Sequence, residues 1–372
     1  MDLGFQNLSF EQKVGQLFCI GIPGPSVDKP AAELLRKVQP GGICLFARNL
    51  RDARQTRDLL DDLRDGRDPV PFLTLDQEGG LVDRLRKIVT PMPAANLFRD
   101  AEQAGRFGSI VAETLRILGF NMDFAPVVDV ISKERETVTN GLFSRAYGTS
   151  AEEAAQFAGA FLENLQESGV LGCAKHFPGL GASAVDSHED LPQVFIRENE
   201  LQNVDLVPYQ RLIERNLIHC IMVAHASFPN IGLQERAPDG KLLPSSLSGG
   251  FIDGLLRSEL GFEGLVISDD LEMGAIVKNF GIGEACVMAI EAGADMLAIC
   301  ADAGRITEGY DAVSNAVRAG RVSEDRLDRS LTRIAAAKSL IREPLSFAMQ
   351  RLAELSDSIA RLNDELRSGA AA

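Results

Sequence analysis

Eight short stretches of this chain are almost entirely apolar: Val14 to Ile20, Gly42 to Ala47, Phe72 to Leu75, Met122 to Val128, Leu171 to Lys175, Cys220 to Ala224, Leu265 to Ser268 and Met296 to Ile299. They do not alternate apolar with polar residues, as a strand with one wet face would. Such strands are buried on both faces, which is the condition of a mostly parallel sheet covered by helices. The segments between them have helical period. In residues 101–119 the apolar positions Phe107, Ile110, Val111, Leu115 and Leu118 fall mostly three or four apart, and Gly119 stands where a helix would be capped. Residues 152–165, 206–217, 252–260, 284–292, 311–319 and 325–341 read the same way. Eight strands with intervening helices predict an α/β fold, a single-domain (β/α)8 TIM-type barrel over residues 1–342. A doubly wound open sheet is the alternative.

Residues 343–372 differ. Leu345, Ala348, Leu352, Leu355, Ile359, Leu362 and Leu366 step by three and four after Pro344. This predicts an amphipathic helix starting at Pro344. It is expected to pack on the chain's own barrel, far from the catalytic rim, with a partner helix as the alternative.

A barrel places its chemistry at the C-terminal ends of the strands. Those ends carry Arg48, Asp76-Gln77-Glu78, Asp129, Lys175-His176, His225, Asp269-Asp270 and Cys300. Four of the strands therefore bring polar groups to one rim. With 38 basic against 53 acidic residues the net charge is −15, so nucleic acid and anionic membranes are disfavoured as partners. The six cysteines are scattered without a CxxC pair and read as buried reduced thiols. The first residues show no signal-peptide pattern, and a cytoplasmic enzyme is expected.

Three segments carry the chemistry. In Lys175 to Pro192, Asp186 stands two residues before His188. A carboxylate bonded to an imidazole fixes its tautomer and raises its basicity, as an acid/base pair requires. The Gly179-Leu180-Gly181 stretch is a poor dinucleotide fingerprint, because Pro178 precedes it and a polar loop follows. No zinc-ligand spacing occurs. In Ile267 to Met273 an apolar strand ends in Asp269-Asp270, and alternation would turn one carboxylate inward as nucleophile, base or ligand. Asp270 could instead cap the next helix. In Leu75 to Arg84, Asp76 ends a strand and suits sugar hydroxyls, Arg84 could clamp a polar group, and Gly79-Gly80 would let backbone approach a ligand.

Together these segments resemble glycoside hydrolase family 3, in particular its bacterial single-domain β-N-acetylglucosaminidases of cell-wall recycling. The resemblance spans roughly residues 10–340. It rests on LDQEGG at 75–80, MDFAPVVDV at 122–130, SRAYG at 144–148, KHFPG at 175–179, DSHEDLP at 186–192, MVAHASFP at 222–229 and GFEGLVISDDLEMGA at 261–275. It implies a retaining mechanism with Asp269 as nucleophile and His188 as acid/base, oriented by Asp186. It further implies sugar binding by Asp76, Arg84, Arg145, Lys175 and His176, with His225 as a further candidate. No metal or cofactor is implied. The implied substrate is a small N-acetylglucosaminide, a muropeptide among the candidates, and a monomer is favoured over a dimer. Two positions depart from the family pattern: Leu180, where KHFPGHG has its second histidine, and Leu81, where arginine usually follows DQEGG. Both bear on aglycone preference. Phosphorolysis, β-glucosidase activity and silent sugar binding remain as alternatives.

Overall fold

The computed structural model describes residues 5–136, 141–183 and 191–368. In chain order its strands are β1 (Phe18–Gly21), β2 (Gly42–Cys44), β3 (Phe72–Thr74), β4 (Gln77–Gly79), β5 (Val82–Asp83), β6 (Met122–Asp123), β7 (Leu171–Gly172), β8 (Ala174–Phe177), β9 (Cys220–Val223), β10 (Leu265–Asp270) and β11 (Met296–Ile299). Seven of them form one sheet in the order β3-β2-β1-β11-β10-β9-β8. Every neighbouring pair is parallel. The first strand of the chain thus lies beside the last, and the order never reverses. A doubly wound sheet needs such a reversal, so that alternative falls.

The sheet is a curled half-barrel. Beyond its two edges β6 pairs with β7 in parallel. Asn121 N donates to Leu73 O (3.1 Å), Phe124 N donates to Leu75 O (2.9 Å), and Val127 bridges to Lys175. The strands are buried along both faces, as their unbroken apolar runs require. Among the described residues no helix is long and apolar enough to cross a membrane. All six cysteines are buried free thiols.

Three boundaries differ from the sequence reading. Val14 belongs to the helix Phe10–Gly15, because Ser9 and Gln12 close a capping box there, and the strand begins only at Phe18. The run Met122 to Val128 pairs regularly only at Met122–Asp123. The C-terminal helix spans Met349–Ser368 rather than starting at Pro344. The backbone of Leu345 is engaged elsewhere: its N–H donates to Arg116 O and its carbonyl accepts from Arg57. Leu345 and Ala348 therefore drop out of the stripe, while Leu352, Leu355, Ile359, Leu362 and Leu366 are buried.

That helix lies along Ala101–Leu118 of the same chain. Arg351 pairs with Glu113 at 2.6 Å and Glu365 with Arg106 at 2.6 Å. It also touches the loop that follows β5: Thr90 N donates to Ser356 Oγ, and Asn363 Nδ2 to Pro91 O.

Candidate active site

A cavity of about 190 Å³ opens at the C-terminal ends of the strands. Asp76, Arg84, Arg145, Lys175, His176, Asp269 and Asp270 all line it, so residues up to 194 positions apart in sequence share one wall.

Two register shifts explain how consecutive residues come to face the same space. Along β10, Ile267 pairs with Met296 but Asp270 pairs with Ala298, so three steps on one strand match two on the other. The extra residue is a β-bulge, which re-aims side chains. Strict alternation predicted one inward carboxylate; instead both Asp269 and Asp270 line the cavity. Along β8, Lys175 pairs with Met222 and Phe177 with Val223, so two steps match one. Lys175 and His176 are both brought to the wall in the same way.

The floor is an ion network. Lys175 Nζ lies 2.7 Å from Asp76 Oδ1 and 2.6 Å from Glu78 Oε1. Arg145 forks onto Glu78 at 2.7 and 2.9 Å. Arg84 Nη2 lies 3.3 Å from Asp76 Oδ2. Burial alone would raise the Glu78 carboxyl, but the Lys175 and Arg145 cations outweigh it and hold it down to about 2. Asp76 is likewise held below the usual carboxylate range, against its burial, by Lys175 and then Arg84. Lys175, whose burial favours the neutral amine, is instead held charged by Asp76 and Glu78.

His176 is set by Asp129. Its Nδ1 lies 2.8 Å from Asp129 Oδ2, and Asp129 Oδ1 accepts from Leu180 N at 2.7 Å. A carboxylate on Nδ1 leaves Nε2 for a ligand. Asp270 is pushed up to about 7, first by burial and further by Glu272 and Asp269. Its side chain accepts from Glu272 N at 3.0 Å, and Asp269 Oδ1 accepts from Asp270 N at 2.8 Å.

His225 does not line the cavity and is fully buried. Its Nε2 lies 3.1 Å from the Asp270 carbonyl and its Nδ1 2.6 Å from Ser246 Oγ. A carbonyl only accepts, so Nε2 carries the proton and the Ser246 hydroxyl donates to Nδ1. Burial lowers the pKa of this imidazole, in keeping with a neutral ring. Its place is behind the Asp269-Asp270 strand end, which corrects the expectation of a sugar contact.

The paired glycines also do something other than expected. Gly79 and Gly80 have φ of +90° and +57°, and a Cβ on Gly79 would stand 2.1 Å from Pro93 O. The chain's own residues 93–94, not a ligand, make the close approach. Asp186 and His188 lie outside the described residues. Glu78 and Asp129 were passed over as partners in the sequence. The signal for Glu78 was charge arithmetic: a buried cation, Lys175, and a half-buried one, Arg145, need more than Asp76 to neutralise them. Among the described residues no group of three or more His, Cys, Asp and Glu side chains could hold a metal ion.

Residues 9–337 match the model of the glycosyl hydrolase family 3 N-terminal domain. A β-hexosaminidase of Pseudomonas aeruginosa is 35% identical over 274 residues, 73% of this chain and 78% of that one. The solved family 3 β-N-acetylglucosaminidase of Paenibacillus sp. superimposes with a TM-score of 0.85 at 35% identity, covering 95% of this chain and 69% of that one. Native NagZ from Neisseria gonorrhoeae superimposes with a TM-score of 0.76 at 26% identity, covering 94% and 97%. The chain belongs to glycosyl hydrolase family 3.

Proposed function

We propose that this glycoside hydrolase removes terminal β-linked N-acetylglucosamine from small, cell-wall-derived glycosides in the cytoplasm, with retention of configuration. The observation that carries the reading is the Asp76–Lys175–Glu78–Arg145 network, buried at Lys175 and Glu78, on the floor of the cavity that Asp269 lines. Fixed, fully charged groups of this kind suit the directional hydrogen bonds of sugar hydroxyls, and Arg84 and His176 extend the set. The names of the relatives support the choice of an N-acetylhexosaminide.

In the proposed cycle the Asp269 carboxylate attacks the anomeric carbon. The glycosidic bond breaks, and its oxygen takes a proton from His188, giving a glycosyl ester on Asp269 and a free alcohol. His188 then removes a proton from water, which attacks the same carbon and releases the sugar and the Asp269 carboxylate. Asp186 steadies the imidazolium between the steps. The fold belonging to this reading is a closed (β/α)8 barrel over residues 1–342, acting as a monomer, with residues 343–372 as an appended helix.

One assay tests it. A chromogenic β-N-acetylglucosaminide is turned over and the matching β-glucoside is not, and adding phosphate yields no sugar 1-phosphate. Preference for the glucoside or a phosphorylated product overturns the assignment. His188→Ala should slow substrates with poor leaving groups far more than an activated phenol; equal losses would make His188 a binding residue.

A further inference from the structure

The C-terminal helix Met349–Ser368 touches the outer end of a strap, residues 90–94, that packs on the β4–β5 hairpin behind the cavity wall. Thr90 N donates to Ser356 Oγ at 3.2 Å, and Asn363 Nδ2 donates to Pro91 O at 2.9 Å. The next residue, Met92, turns inward. Its N–H donates to Asp83 Oδ2 at 2.9 Å, and its carbonyl accepts from Gly80 N at 3.0 Å.

Asp83 is buried, and its other oxygen accepts from Gln77 Nε2 at 2.9 Å. Gln77 Oε1 in turn accepts from Arg84 N at 3.0 Å. Gln77 follows Asp76 directly. The chain of bonds therefore runs from the helix, through residues 90–92 and Asp83, to the backbone that carries both Asp76 and Arg84. No slack separates strap and hairpin, because Gly79 and Gly80 have no room for a side chain against Pro93 and Ala94.

We infer that the C-terminal helix is a positioning element for the sugar site, with Ser356 and Asn363 as the residues through which it sets the Asp76–Arg84 edge of the cavity. The inference rests on the proposed function, since it takes that edge to hold the sugar. The same helix has a second set of anchors, Arg351 on Glu113 and Glu365 on Arg106, which face Ala101–Leu118 and do not reach the strap. The two sets separate positioning from plain docking.

The test uses the full chain. Ser356→Ala/Asn363→Ala removes the strap bonds, and Arg351→Ala/Glu365→Ala removes the others. Loss of the two hydrogen bonds, only partly transmitted, gives an expected rise of roughly 3–10-fold in KM for the chromogenic β-N-acetylglucosaminide, with kcat within about twofold. Amide hydrogen exchange at residues 77–85 should quicken by a similar factor. In Arg351→Ala/Glu365→Ala, KM and that exchange should stay within about twofold of wild type, even where melting temperature falls as much. Ser356→Thr, which keeps the hydroxyl, should keep the wild-type KM. Unchanged KM and exchange in the strap variant, or equal changes in both variants, would overturn the inference. If the wild-type protein does not turn over the glycoside, the proposed function fails, and the exchange measurement still decides whether the helix holds the Asp76–Arg84 edge.

Discussion

Lys175 Nζ and Glu78 Oε1 lie 2.6 Å apart, with 2% of either side chain exposed. A pair that deep is held by balance: each ion is tolerable only while the other is present. Arg145, forked onto the same carboxylate, makes Glu78 the anion shared by two cations.

Glu78→Gln should therefore do more than weaken one contact. Among the described residues it leaves Lys175 with Asp76 alone and Arg145 with no carboxylate within bonding distance. Breaking a buried pair from one side costs about 3–5 kcal/mol. Thermal denaturation should show a clearly lowered melting temperature, and substrate affinity should fall with it. A melting temperature within a degree of wild type would mean that the network is not the rigid floor described above.

The two aspartates of β10 should respond very differently. Asp269→Ala should lower turnover by several orders of magnitude, because the covalent nucleophile proposed above would have no substitute. Asp270→Asn replaces a carboxyl pushed up to about 7 by a neutral amide of the same shape, and should keep most activity at neutral pH. Steady-state kinetics on both variants decides; the reverse ranking would exchange the two roles.

Asp270 also predicts a pH dependence of stability. Its ordinary value is 3.8, and the folded value is about 7, raised chiefly by burial. Between these values the unfolded chain has lost the proton that the folded chain keeps, so stability falls as pH rises from about 4 to 7 and is level above. The full effect is of order 4 kcal/mol. Denaturant titrations across that range should show the slope in wild type and a shallower one in Asp270→Asn. Parallel slopes would refute the assignment.

His225→Phe removes both bonds of the buried imidazole while keeping a ring in place. The Asp270 carbonyl and the Ser246 hydroxyl would each lose their partner on this side, at a cost of about 1–3 kcal/mol per unsatisfied group. The expected result is a lower melting temperature and a reduced kcat, since the strand end that carries Asp269 is held from behind. Loss of substrate affinity alone, with kcat and melting temperature intact, would instead indicate a sugar contact.

Much of this was legible in the sequence, for identifiable reasons. The strands could be read because burial on both faces removes polar residues from them, and their polar ends marked Asp76, Lys175, His176 and Asp269 as wall residues. Arg84 was legible as a polar clamp in the segment that follows Asp76, whereas Arg145 came from the motif resemblance rather than from periodicity. The pairings were not legible. Nothing local to Glu78 or Asp129 says that one serves Lys175 and Arg145 and the other serves His176, because those partners arrive from segments 47 to 97 residues away. The 3,4 stripe near the C-terminus was correct over Leu352 to Leu366 and failed at Leu345, where hydrogen bonds to Arg116 and Arg57 fix the backbone outside the helix. His225 misled for a similar reason: it stands at a strand end, but it faces back toward Ser246.

The paired shifts of register along β8 and β10 make residue count, not only residue type, a property of the site. Removing one residue from 268–270 or from 175–177 would restore an even ladder and turn the second polar group of each pair into the packed interior. A point substitution there costs one function; a single-residue deletion would cost two at once and bury a charge as well. These two places should therefore be the least tolerant of a change in length, while the exposed turn at Asp239–Gly240, bound by no such count, can absorb one.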